Sequence, residues 1–256
     1  MRFGCCVGLD QIQRVQEAGY DYFELGVGNV KPESPDSEFE PVRETLDSFD
    51  IRPEAWNVLF PREIKVVGPD VDIYRIERYL LTAFERIKKV GGEVVVFGSG
   101  GARRVPEGFP MDEALDQLAE ALALAGRVAE VYGVTVALEP LASGSTNIVN
   151  TLPQGAAMVK KVNHPSVKLL ADLQHMVDEG EPPSVIGTLD VEIAHTHTAD
   201  TGRFYPGSGD YPNREFVRAL KGAGYDRRLT AECAWRDFNA ECPEALKFLK
   251  GLDEQT

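Results

Sequence analysis

Four residues near the ends of short apolar runs are of types that could do chemistry together: Glu139 in VTVALEP, Asp172 in KLLADLQHM, His197 in VEIAHTH and Glu232 in RLTAECA. An acid or an imidazole beside buried apolar residues is costly unless something pairs with it. Side chains alternate along a strand, so each run can be read for direction. In 134–140, Val134, Val136 and Leu138 share one face, which leaves Thr135, Ala137 and Glu139 on the other. In 228–234, Thr230 and Glu232 oppose Leu229, Ala231 and Cys233; in 167–173, Leu170 and Asp172 oppose Val167, Leu169 and Ala171. In 191–197, His195 and His197 fall on one face with Ile193. Three crowded carboxylates raise one another's pKa unless a cation neutralises them. With one imidazole they form a donor set suited to Mn²⁺, Mg²⁺, Co²⁺ or Zn²⁺. Singly, a strand-end acid is more often a loop anchor or ion-pair partner, and His195 reads better as a hydrogen-bonded interior group than as a ligand. The conjunction of four carries the reading.

To bring these residues together, four strands must end at one place. Eight β-rich runs alternate with helical patterns: 2–7, 20–27, 52–58, 93–99, 134–140, 167–173, 191–197 and 228–234. Eight such alternations over 256 residues predict a single-domain (β/α)8 TIM barrel spanning 1–256, with an open doubly wound sheet as the runner-up. Glycines after the helical patterns, in QEAGYD, KKVGGE, EVYGV and KGAGYD, fit left-handed C-caps. Asp72, Asp112 and Asn213 fit helix starts. Long segments follow the strands at 26–36, 58–70, 98–111 and 198–212, where the C-terminal mouth of a barrel gathers its functional groups.

Composition narrows the partners. A net charge of −14, from 27 basic and 41 acidic residues, argues against nucleic acid. No apolar run is long enough to span a membrane. The start MRFGCCVGLD lacks a signal-peptide pattern, and Cys5, Cys6, Cys233 and Cys242 lack disulfide or metal-finger spacing, so the cysteines read as small buried residues in the cytoplasm. Barrels of this size often pair, which makes a homo-oligomer an expectation of the same kind.

The stretches ALEPL and TNIVNT (137–151), ADLQH (171–175), HTHTADTGR (195–203) and AECAW (231–235) resemble the sugar isomerase/epimerase superfamily with a xylose isomerase-like barrel, which includes ketose 3-epimerases and hydroxypyruvate isomerase. The resemblance runs over essentially the whole chain. It implies that Glu139, Asp172, His197 and Glu232 bind one divalent metal, that Glu139 and Glu232 are the catalytic acid/base pair, and that His175 and Arg203 contact substrate oxygens. Where the 3-epimerases carry a second glutamate, six residues after Glu139, this chain has Ser145, so that substrate contact is absent or replaced and the resemblance does not fix which ketose is the substrate. The related AP endonucleases need more histidines than the four present.

Such a site would move a proton beside a carbonyl through an enediolate, the metal acting as Lewis acid and two glutamates as acid and base. The substrate expected is a small sugar or sugar phosphate. A keto-inositol dehydratase on the same barrel and a non-catalytic sugar-binding protein are the alternatives, and retention of both glutamates favours the isomerase/epimerase. In FGSGGARRVP (97–106), Arg103 or Arg104 could grip a phosphate, with a plain surface loop equally expected. Glu24, Trp56 and Asn57 are candidates to line the pocket, and 60–70 is a candidate lid.

Overall fold

A computed structural model of the chain describes residues 1–255. All eight predicted strands form, each shorter than its apolar run: β1 (Arg2–Cys5), β2 (Glu24–Gly26), β3 (Ala55–Asn57), β4 (Val94–Phe97), β5 (Thr135–Leu138), β6 (Val167–Asp172), β7 (Ile193–Thr198) and β8 (Arg228–Ala231). They pair in parallel in the order β1-β8-β7-β6-β5-β4-β3-β2. A parallel bridge between Cys6 and Glu24 joins the two ends. The result is a nearly closed TIM barrel, with helices α1 (Ile12–Ala18), α2 (Asp36–Asp47), α3 (Ile73–Lys89), α4 (Gly100–Arg103), α5 (Met111–Tyr132), α6 (Leu152–Val162), α7 (Leu173–Asp178), α8 (Asn213–Gly222) and α9 (Phe238–Gln255) between and after the strands.

The helix boundaries follow capping chemistry. Asp72 caps α3 by accepting from the backbone N–H groups of Tyr74 and Arg75. Gly19 and Gly133 take left-handed conformations after α1 and α5, where a Cβ would be strained. Asn213 stands at a helix start as expected, but its side chain does not cap the helix. It is the first residue of α8, and its side chain turns instead to Thr198 Oγ1 and the Ala199 carbonyl, tying that helix to the end of β7.

Strand alternation sorts the apolar residues into two layers. Val95, Phe97, Val136, Leu138, Leu169 and Ala171 meet the helices in the large outer core, while Val94, Val96, Ala137, Leu170 and Ala194 form a small cluster inside the barrel. Expectation fails at one strand. The pairing of β6 with β7 slips between Leu169 and Leu170, so that Leu169 faces Ile193 and Leu170 faces His195. Ala194 is the extra residue of this irregularity. Ile193 therefore belongs to the outer core, and both histidines stay inside without sharing its face.

The N-terminal end of the barrel is plugged. Gly4 leaves room for the Tyr22 ring, whose hydroxyl lies 2.7 Å from Thr230 Oγ1. Arg2 and Arg228 sit 5.9 Å from that ring's centroid and both donate to Glu54. Access is left to the other end. There the 60–70 segment is not a free lid: Phe60, Ile64, Val66 and Val67 are buried, and the N–H groups of Phe60 and Val66 bond Ser99 Oγ and the Ala102 carbonyl. Apolar anchoring makes it a fixed wall. No described helix is long and apolar enough to cross a membrane. The four cysteines are free; Cys5 and Cys242 are buried as expected, but Cys6 and Cys233 are only partly so.

Candidate active site

Glu139 and Glu232 each sit one residue past a strand, and their N–H groups still bond the neighbouring strand, at Phe97 O (3.3 Å) and Thr198 O (3.0 Å). Their carboxyls thereby keep the inward direction of the strand. Asp172 ends β6 and also starts α7: its Oδ1 accepts from the N–H of Gln174 (2.6 Å) and of His175 (3.3 Å), which leaves Oδ2 directed inward. One carboxylate so caps a helix and offers an oxygen to the barrel mouth.

Around His197 the four predicted groups converge. Its Nδ1 lies 3.2 Å from Glu139 Oε1, 3.5 Å from Glu232 Oε2 and 3.9 Å from Asp172 Oδ2. One ligand-type atom from each of the four lies within 4.8 Å of all the others. On the far side of the ring, Nε2 is 3.0 Å from Glu24 Oε1. Glu24 also meets His195 Nε2, at 2.8 Å, and is fully buried. A carboxylate receiving the Nε2 proton leaves the Nδ1 lone pair free to face a cation, the arrangement usual around a metal-bound histidine.

Electrostatics point the same way. Burial disfavours a charged imidazole at His197, yet the carboxylates of Glu24, Glu232 and Glu139 outweigh it and hold its pKa well above the usual range. Burial, aided by the charges of Glu232 and Asp172, pushes Glu139 upward against the pull of His197. Burial also acts to raise Glu232, but His197 and Arg203 prevail and keep it low. Burial holds His195 below its usual value, as a neutral ring, against the pull of Glu24. The cluster demands positive charge at its centre, and three carboxylate oxygens with an imidazole nitrogen fit a divalent ion. Gly98 belongs to the same fit: a Cβ there would stand 2.2 Å from Glu139 Oε2.

A cavity of about 380 Å³ opens beside the cluster, lined by Glu139, Glu232, His175 and Arg203 among others. Arg203 donates to Glu232 Oε2 at 3.0 Å. His175 is buried, with Nε2 3.9 Å from Asp172 Oδ2 and no partner for Nδ1. All six predicted site residues therefore meet at one end of the barrel. Strained backbone marks the same wall, with Val58, Ser99 and Arg203 at φ of 51°, 42° and 62°.

Other expectations resolve less evenly. Arg103 is fully buried and donates to the carbonyls of Phe97 and Glu139, fixing the ends of β4 and β5; burial lowers its pKa to about 10. Arg104 bonds the Gly144 carbonyl. Neither is turned toward the cavity as a phosphate grip, because the strand-end carbonyls of Phe97 and Glu139 claim Arg103. Trp56 packs in the outer core, while Asn57 lines the cavity and donates to Cys6 Sγ. Glu24 is not a pocket wall but the hub between two histidines. The alternation Tyr22, Glu24 in YDYFELGV carried a signal for this, since it aligns the acid with an inward tyrosine.

A model of the xylose isomerase-like TIM barrel family matches residues 12–252. The D-psicose 3-epimerase of Ruminiclostridium cellulolyticum is 35% identical over 107 residues, a match spanning 41% of this chain and 36% of that protein. The D-psicose 3-epimerase of Agrobacterium fabrum is 25% identical over 228 residues, covering 86% of this chain and 77% of the relative. A solved D-psicose 3-epimerase, crystallised in the presence of D-fructose, superposes with a TM-score of 0.87 at 19% identity over 99% of both chains, which is a likeness of fold. With the family match running from the first helix to the last, the chain belongs to the xylose isomerase-like TIM barrel family.

Proposed function

We propose that the chain is a divalent-metal-dependent sugar or sugar-phosphate isomerase/epimerase. That it is an enzyme follows from its named relatives, which are sugar epimerases. The observation that carries the reading is the convergence of Glu139, Asp172, His197 and Glu232 within 4.8 Å beside a cavity holding His175 and Arg203. Those four residues would hold one ion, Mn²⁺, Mg²⁺, Co²⁺ or Zn²⁺. When bound, the ion supplies a Lewis acid that offsets charge developing on the substrate's carbonyl oxygen.

The proton chemistry falls to the chain. Glu139 and Glu232 come from strands separated by β6 and β7, so they approach a carbon held between them from two sides. One carboxylate removes the proton from the carbon beside the carbonyl, and the other returns a proton on the opposite face, inverting that centre. Arg203 stays against Glu232 and offers its remaining N–H donors to a substrate oxygen. His175, on the cavity wall, meets a second hydroxyl. A cytoplasmic setting suits four free cysteines.

The test is proton NMR in D₂O, with Mn²⁺-loaded enzyme quenched by chelation and a panel of ketoses and ketose phosphates. Deuterium entering at C3 with a new diastereomer supports the epimerase, and entry at C1 or C2 the isomerase. The same assay on Glu232→Gln should show exchange reduced by at least about a hundredfold. Wild-type exchange with no panel member sinks the proposal.

A further inference from the structure

A second cavity, of about 430 Å³, lies beside the one at the four-residue cluster. Segment 57–62 divides them: Asn57 and Phe60 line the first, Pro61 lines the second, and Val58 borders both. Gly26, on the second cavity, pairs with Asn57 across β2 and β3, which sets those two wall residues ~4.8 Å apart, one strand spacing. Val58 is 51% exposed, and its φ of 51° is one that β-branched residues rarely adopt. Such strain clusters at ligand clamps. Here it holds an isopropyl group at the border of two cavities. The first cavity, at about 380 Å³, already falls within the roughly 300–1,000 Å³ usual for a small ligand, and a single ketose is a small ligand. The proton chemistry therefore leaves the second cavity without a role.

One buried side chain on that wall lacks a partner. Of the buried tyrosines, Tyr20 bonds the Cys242 carbonyl, Tyr22 bonds Thr230 Oγ1 and Tyr225 bonds the Arg228 carbonyl. Tyr79, only 3% exposed, has no hydrogen-bond partner among the described residues, and its oxygen keeps contact with the open space. A buried hydroxyl is ordinarily satisfied by protein, water or ligand. Burial and the charge of Glu33 hold the Tyr79 hydroxyl above its usual pKa, so it stays a donor. Nearby, Asn29 gives its Nδ2 to the Gly26 carbonyl at 2.9 Å and keeps its amide oxygen as an acceptor. Glu33 is tied to Arg75 at 2.8 Å, and Lys31 stands exposed. The wall is otherwise neutral, with the apolar faces of Pro32, Pro61 and Val58 between the polar groups. Donor, acceptor and apolar face in alternation match a sugar ring, with hydroxyls on its rim and C–H bonds on its faces.

We propose that the second cavity binds a neutral sugar ring glycosidically linked to the reacting sugar, which makes the substrate a glycoside and not a free monosaccharide. Tyr79 donates to a hydroxyl of the second ring, Asn29 accepts from another, and Val58 packs against the link between the rings. The subsite deepens, and rests on, the sugar isomerase/epimerase reading.

The test compares D-fructose with ketose-ended disaccharides that leave C3 free, on the Mn²⁺-loaded protein: isomaltulose, linked through O6, and lactulose and maltulose, linked through O4. D-fructose 6-phosphate is the charged control. Turnover is followed by D₂O exchange and binding by calorimetry. The wild type should favour at least one disaccharide over D-fructose by about tenfold or more in kcat/KM. Gly28 is exposed, and a Cβ there meets nothing within 4 Å, so Gly28→Phe places a ring in the second cavity without a clash at its own backbone. It should lower the ratio of disaccharide to D-fructose kcat/KM by about tenfold or more. Tyr79→Phe deletes an oxygen that bonds nothing in the chain, and should lower the same ratio by about threefold to tenfold with an unchanged melting temperature. A wild type that prefers D-fructose or its 6-phosphate overturns the proposal, as does an unchanged ratio in Gly28→Phe; an unchanged ratio in Tyr79→Phe overturns the role given to that hydroxyl. Should no sugar exchange at all, the isomerase reading fails, and calorimetry still decides the subsite. Disaccharide binding about tenfold tighter than D-fructose, and lost in Gly28→Phe, would then sustain it, and equal binding would overturn it.

Discussion

Replacing Glu24 with glutamine changes one acceptor into a donor at the point where two buried imidazoles meet. In the wild type Glu24 accepts from His195 Nε2 at 2.8 Å and from His197 Nε2 at 3.0 Å, with all three side chains buried. A glutamine has one oxygen and one NH₂, so it satisfies both rings only by reversing one of them. With its NH₂ toward His197, Nε2 must accept, and the proton moves to Nδ1, the atom that faces Glu139 and Glu232. With its NH₂ toward His195, that ring must protonate Nδ1, which is buried without a partner. The first outcome blocks the nitrogen a metal needs. The second buries an unpaired N–H, at a cost of about 1–3 kcal/mol. Loss of a carboxylate behind a ligating histidine typically weakens metal binding by about tenfold to a hundredfold, or roughly 1.4–2.7 kcal/mol, which agrees with that range. Mn²⁺ calorimetry on wild type and Glu24→Gln measures this directly, and imidazole ¹⁵N shifts of the Mg²⁺ form report the His197 tautomer. A Mn²⁺ affinity within about twofold of wild type, with an unaltered tautomer, would refute the assignment of Glu24 as the group that orients His197.

Gly98→Ala pushes a Cβ to 2.2 Å from Glu139 Oε2; the displaced carboxylate should lower Mn²⁺ affinity and exchange rate by at least about tenfold, with an unchanged circular dichroism spectrum. Gly4→Ala drives a methyl into the Tyr22 ring at the plugged end, 2.2 Å from Cε2. It should destabilise the fold by about 1–3 kcal/mol in urea unfolding, with the Mn²⁺ affinity preserved. Removing bound metal with a chelator should lower the melting temperature, and restoring Mn²⁺ to a hundred times its Kd should return about 2.7 kcal/mol, or roughly 5–10 °C by calorimetry. No shift on chelation would count against a metal in the site.

The barrel was legible because its information is local. Each strand is a short apolar run bounded by glycine or polar residues, and the period of two aligned Glu139, Asp172 and Glu232 inward before any contact was known. The same rule misassigned Ile193, since a single extra residue in β7 resets the alternation and that slip depends on pairing with β6. Glu24 escaped notice as a hub for a related reason. Its partner His195 lies 171 positions away, and nothing in YFELG states that it will meet two imidazoles. Arg103 reads in sequence as one more loop arginine, and only the carbonyls of Phe97 and Glu139 decide that it turns inward.

What the sequence determined by itself is the count and direction of the strands, the identity of the residues at their ends and the acidity that makes nucleic acid an unfavourable partner. These depend on neighbours in the chain, where side-chain period and composition suffice. The tertiary structure decided the rest: which side of His197 faces the carboxylates, that Asp172 splits its oxygens between a helix cap and the barrel mouth, and that Arg103 turns inward to the strand-end carbonyls. Those facts arise from distances between strands that closure of the barrel brings together, and a linear pattern carries no measure of them.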